Sequence, residues 1–200
     1  MDAVRVALLR DVLAGTRWPD SARGFALALR SSVLPRGGGL LLVGTEEYEP
    51  WHLAAHLTDE SAWSGRPELV PTLVRHRVAP GDPAHLAVGL GRIEAAGRSE
   101  TLLLVAPERP GDGLLERVHD ARRAGARVLF LGGGDPEVAS LAHASLTVDA
   151  DDDVDLDVVQ HLVSAAAGEN GAPGAPGRRT FRDRLARLAD QLTEPPPARW

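Results

Sequence analysis

Two short apolar runs constrain this chain most. LLLVA at 102–106 and RVLFL at 127–131 are apolar almost throughout, with no in–out alternation. That pattern belongs to strands buried on both faces, which occur in parallel sheets covered by helices on each side. Between them, GDGLLERVHDARRAGA carries Leu114, Leu115, Val118, Ala121 and Ala124 as one stripe at helical spacing. A strand, a helix and a second buried strand make a parallel crossover unit. The same alternation runs through the chain. Apolar runs fall at Leu40–Val43, Leu69–Val74, Thr101–Val105, Arg127–Leu131 and Ser145–Val148. Helical stretches are expected near 50–58, 82–90, 112–124, 135–143 and 155–167. Pro71 lacks an amide donor, so the second run is expected at a sheet edge or to begin at Val70 or later.

Two helices are expected ahead of the sheet. Residues 2–14 place Val4, Ala7, Leu8 and Val12 at helical spacing. A second helix is expected from about Asp20 to Leu34, with Phe25, Leu27, Leu29 and Val33 apolar, until Pro35-Arg36 and three glycines end it. The domain is thus expected to span 1–167, with a helical lead over 1–35. GENGAPGAPG at 168–177 reads as a linker. Residues 178–200 then place Phe181, Leu185, Leu188 and Leu192 on one face of an arginine-rich helix, expected to dock on the body or on a second subunit.

Composition narrows the function. At 44% apolar and 25% charged, 200 residues suit one ordinary core with a tail. There is no cysteine, hence no disulfide, thiolate metal site or cysteine nucleophile. All 22 basic residues are arginine, which excludes a Schiff-base or Walker lysine. A net charge of −6 and 4% aromatic residues argue against a nucleic-acid partner. No run reaches the ~18 apolar residues of a membrane span and the start is a poor signal peptide, so a cytoplasmic protein is expected.

The order of elements from Leu90 to Val148, together with GGGLLLVGTEEYEPWHLAAHL as a first strand–loop–helix unit, resembles the sugar isomerase (SIS) domain. The likeness covers 20–167. It implies a three-layer α/β/α sandwich around a five-stranded parallel sheet, flavodoxin-like, and a homodimer that binds a sugar derivative. The ligand would sit in the crevice at the C-terminal ends of the strands. Residues that would line this crevice are Gly44, Thr45, Glu46 and Glu47 after the first strand, Glu108, Arg109, Gly111 and Asp112 after the third, and Gly132 and Gly133 after the fourth. In the family the loop after the third strand reads roughly Ser-x-Ser-Gly-Glu/Asp-Thr and cradles phosphate with hydroxyls and amides at a helix N-terminus. The matching loop, Ala106 to Asp112, has no hydroxyl, and Pro107 and Pro110 lack amide hydrogens. Glu108 and Asp112 bring negative charge to the same place.

The first loop departs similarly, with Glu46, Glu47 and Glu49 before a helix whose positive end such carboxylates suit. The expectation is therefore a scaffold that has lost phosphosugar isomerase catalysis and binds or regulates, without a cofactor. An active aldose–ketose isomerase is the alternative, its phosphate held by Thr45, Arg109 and the Gly132–Gly134 turn.

Three other patterns carry chemistry of their own. His52 and His56 share one helical face and are candidate metal ligands with a nearby glutamate, although H-E-x-x-H is absent. The acids Asp151, Asp152, Asp153, Asp155 and Asp157 lack the glycine and distal glutamate of a calcium loop and are read as a helix start. Gly132-Gly133-Gly134-Asp135-Pro136-Glu137 is not a dinucleotide fingerprint. Asp135 as N-cap with Pro136 behind it explains that stretch as helix initiation. His85, His119 and His143, with Glu94 and Glu108, match no catalytic pattern and are read as surface residues.

Overall fold

A computed structural model describes residues 3–33 and 39–169. The expected linker beyond Glu169 and the arginine-rich segment at 178–200 lie outside the described residues. Two helices, α1 (Ala3–Val12) and α2 (Trp18–Ser32), precede β1 (Leu40–Val43). Then follow α3 (Trp51–Ser64), a 3-10 turn (Pro67–Leu69), β2 (Pro71–Val74), the short α4 (Gly91–Glu94) and β3 (Thr101–Ala106). α5 (Asp112–Arg123), β4 (Arg127–Gly132), α6 (Pro136–Leu141), β5 (Ala144–Thr147) and α7 (Leu156–Gly168) complete the described chain.

The five strands are parallel in the order β2-β1-β3-β4-β5. Every residue of β1 and β3 is buried. Their period-two geometry splits each strand between two cores. Leu40, Leu42, Leu103, Val105, Leu129 and Leu131 face α2, α3 and α7, packing with Phe25, Leu29, Leu53, Leu57, Leu162 and Val163. Leu41, Val43, Leu102, Leu104, Val128 and Phe130 face the opposite layer, against Ile93, Leu114, Leu115, Val118 and Val138. Each fully buried Leu, Val or Phe contributes about 1.5–3 kcal/mol. The expected three-layer architecture is the one observed.

Several local expectations need correction. α1 turns a different face inward: Val6 and Leu13 are buried, whereas Leu8 and Val12 are 59% and 78% exposed. Leu27 of α2 is exposed too, and its inner face is Trp18, Ala22, Phe25, Ala26 and Leu29. Proline in its first turn lets α2 begin at Trp18, earlier than Asp20. Ala124 lies beyond the end of α5 and is exposed.

Residues 82–90 form turns, not a helix. The Asp82 carboxylate there accepts from the Ala79 amide at 2.9 Å and from Arg75 at 3.0 Å, a local arrangement that competes with helical hydrogen bonding. The Arg75 amide donates to the Val88 carbonyl at 2.8 Å, tying this segment to the sheet edge beyond β2. Pro71 is the first residue of that edge strand, where a missing donor costs least.

α7 is buried along most of its length and packs on α2 and α3. Asp155 caps it, accepting from the Val158 amide at 2.7 Å. At its other end the Arg30 guanidinium donates to the carbonyls of Ala166 and Glu169, both at 2.7 Å. A cation on the last carbonyls complements the helix dipole.

Where β3 and β4 end together, Gly132 pairs with Ala106, and a methyl group there would overlap the Ala106 carbonyl. Gly132→Ala is expected to lower unfolding stability by roughly 1–3 kcal/mol, the usual cost of overpacking. Urea denaturation of the two proteins checks this, and an unchanged midpoint would contradict it.

Candidate functional site

The strand order reverses between β1 and β3, and the loops leaving these strands diverge at their C-terminal ends. Open α/β sheets offer a ligand crevice at such a switch point. The loops at 44–50 and 107–111, with the turn at 132–135, follow the C-terminal ends of β1, β3 and β4 at this edge.

Gly44 admits a tight turn: a side chain there would overlap the Tyr48 carbonyl. The Thr45 hydroxyl is buried and accepts from the Tyr48 amide at 3.1 Å, so it is engaged in holding the turn. The His76 ring sits 3.1 Å from the Gly44 carbonyl. The glutamates of this loop do not cap α3, whose N-cap is Pro50 with no side-chain acceptor. They pair sideways instead. Glu46 takes a 2.6 Å hydrogen bond from Arg77, which lowers its carboxyl below the usual range. Glu49 accepts from Arg75 at 3.2 Å, and Arg75 also holds Asp82. Glu47 is exposed. The partner arginines sit just beyond β2, in a segment without a recognisable motif.

On the second rim, Gly111 is the N-cap of α5, and no side chain caps that helix. Arg109 donates to Asp112 and Glu137, each at 2.9 Å, and stands 3.7 Å from Asp135. The hydrogen bonds it donates to Glu137 and Asp112 raise its pKa. Glu108 is exposed. The Gly133 amide donates to the Ala106 carbonyl at 2.9 Å, so this donor faces the sheet terminus. Asp135 caps α6, accepting from the Glu137 and Val138 amides. The crevice rim is therefore charged, and much of that charge is internally matched.

A second constellation lies on the α3–α7 side. His52 and His56 stand four apart on α3, with ring centroids 4.3 Å apart. His161 of α7 completes the group, 4.6 Å from each. His161 did not stand out in the sequence, where it follows Gln160 inside the apolar run VVQHLV. A polar pair interrupting a buried helix was the signal available. His56 and His161 are 8% and 7% exposed, while His52 reaches solvent. Neither ring nitrogen of His56 has a hydrogen-bond partner. Burial, and then the neighbouring His161 and His52, depress its pKa to about 4, an effect Asp59 offsets in part.

Above this group, at the start of α7, Gln160 donates to the Tyr48 hydroxyl at 2.8 Å and to Asp157 at 3.1 Å. The Tyr48 phenol is pushed up by burial. This network links the loop after β1 to α7. The remaining histidines are scattered. His85 and His119 are exposed, and His143 accepts from the Val128 amide at 3.0 Å, a bond that secures the start of β5.

No family model matches the sequence, and no curated protein matches it. Among solved structures, the chain is similar to the sugar isomerase domain of the RpiR transcription factor from Sphaerobacter thermophilus. That match has 14% identity, covers 84% of each chain and gives a TM-score of 0.51. A phosphoheptose isomerase from Francisella tularensis also matches at 14% identity, over 82% of this chain and 90% of that one, with a TM-score of 0.47. The fold is that of a sugar isomerase domain. No helix among the described residues is long and apolar enough to cross a membrane.

In the unfolded chain an imidazole titrates near pH 6.5. Between that value and about 4 the unfolded state binds a proton that folded His56 refuses. This contribution to stability is therefore complete above about pH 6.5 and is lost as pH falls toward 4. In EDTA-treated protein, the urea midpoint should fall over this range. His56→Leu should fall less steeply, whereas identical slopes would contradict the assignment.

Proposed function

We propose that this protein is a binding or regulatory version of the sugar isomerase fold that does not carry out aldose–ketose isomerisation of phosphosugars. The observation that carries this reading is the commitment of Arg109. It is the cation of the loop where the resemblance places a phosphate, and its guanidinium is already bound by Asp112 and Glu137 with Asp135 close by. A phosphate would have to displace those carboxylates and then remain beside them. Two like charges about 4 Å apart repel by roughly 1 kcal/mol in water and by more at a partly buried site. The loop offers nothing in compensation, since it lacks hydroxyls and both Pro107 and Pro110 lack amide hydrogens. Thr45, the other candidate anchor, is buried in its turn, where its hydroxyl oxygen accepts from the Tyr48 amide. The similar domain from Sphaerobacter thermophilus belongs to a transcription factor, which favours a regulatory role over a catalytic one.

The ligand class that suits such a rim is an uncharged, hydroxyl-rich sugar derivative. Carboxylates accept hydrogen bonds from hydroxyls strongly and meet no charge repulsion there.

Thermal-shift measurements with millimolar fructose 6-phosphate and sedoheptulose 7-phosphate test the proposal, each beside its unphosphorylated sugar. A ligand at 100 times its Kd adds about 2.7 kcal/mol of apparent stability. The expected result is no shift with either phosphate and no interconversion of aldose and ketose forms. Turnover, or a shift confined to the phosphorylated compounds, would establish the alternative of a working isomerase.

A further inference from the structure

We infer that His52, His56 and His161 form a binding site for a divalent transition-metal ion, with zinc the best match, held between α3 and α7. The inference goes beyond the crevice reading and does not depend on it. Two features of the group carry it.

The first is convergence. One donor nitrogen from each ring can be chosen so that all three lie within 4.8 Å of one another. Nitrogens around a tetrahedral zinc are about 3.3 Å apart, given Zn–N bonds of about 2.0–2.1 Å. The rings would have to rotate toward one another to close that difference. Two of the ligands come from successive turns of one helix, and the third comes from a helix packed directly on it.

The second feature is the cost of leaving the group empty. His56 is buried with both ring nitrogens unpartnered. Leaving a buried polar atom unsatisfied costs about 1–3 kcal/mol. A metal bond would satisfy one of these atoms.

The donor set selects the ion. Three imidazoles suit zinc, copper, nickel or cobalt and do not suit calcium or magnesium, which take oxygen ligands. Three protein ligands leave a fourth position for water or an oxygen of a bound molecule. His52 is the solvent-facing member, so that position opens outward.

The test uses the full chain without an affinity tag, stripped with EDTA and titrated with zinc chloride by calorimetry. A parallel titration with cobalt chloride is followed by visible absorption. One equivalent of zinc is expected, together with the intense bands of four-coordinate cobalt. His52→Ala changes an exposed side chain and should leave the metal-free protein folded, as checked by circular dichroism. It should weaken zinc binding by at least the 10–100-fold that the loss of an outer-shell partner causes. His161→Asn should weaken binding similarly. His119→Ala, on the far side of the sheet, should bind as wild type does. The inference is overturned if the wild type shows no saturable binding, if His52→Ala and His161→Asn bind zinc unchanged, or if His119→Ala weakens binding equally.

Discussion

Two-sided burial of the central strands is the constraint from which the rest of this structure follows. β1 and β3 expose no residue, so each apolar side chain must find a helix above or below the sheet. Parallel strands need crossover connections that run over a face of the sheet, usually through a helix. Those crossovers place every strand's C-terminal end on the same edge. Because β1 lies between β2 and β3, successive crossovers leave in opposite directions, the topology at which open α/β sheets bind ligands. The switch point is thus a by-product of packing hydrophobic strands, and the fold supplies it whatever residues the loops there carry.

What lines it here is a set of carboxylates facing arginines. Glu46 with Arg77, Glu49 and Asp82 with Arg75, and Arg109 with its acidic neighbours are all ion pairs near the surface. Exposed pairs of this kind contribute little to stability, about 0–1 kcal/mol each. Their larger effect is on recognition. An arginine already saturated by carboxylates presents little net positive charge to an incoming anion. The histidine group one layer away differs in kind. It is partly dry, and both ring nitrogens of its buried His56 lack hydrogen-bond partners.

Much of the architecture was legible in the sequence because burial on both faces leaves an unbroken apolar run, and Leu102–Val105 and Val128–Leu131 show one plainly. Pro71 marked the edge, and Asp135-Pro136 marked a helix start. The errors came where tertiary contacts decide between equivalent local choices. The face of α1 is one case, since Leu8 and Val12 fit a helical stripe as well as Val6 and Leu13 do. The turns at 82–90 are another, because an arginine outside that segment organises Asp82 and Leu86. The residues of the crevice loops could be named, but not their partners, since Arg75 and Arg77 lie some 30 positions away. Two of the three histidines of the group were visible in the spacing of His52 and His56. His161 sits more than a hundred positions further on, and only the packing of α7 on α3 brings it near.

The grip of Arg30 on the end of α7 bears on how the chain leaves the domain. The same guanidinium reaches the carbonyls of Ala166 and Glu169, and Arg10 from α1 meets the Glu169 side chain at 2.5 Å. Two helices from the start of the sequence therefore hold the point of exit. Strain arriving along the polypeptide from residue 170 onward would be borne by these two arginines before it reached the sheet, so the exit acts as a mooring that isolates the body from whatever the following segment engages.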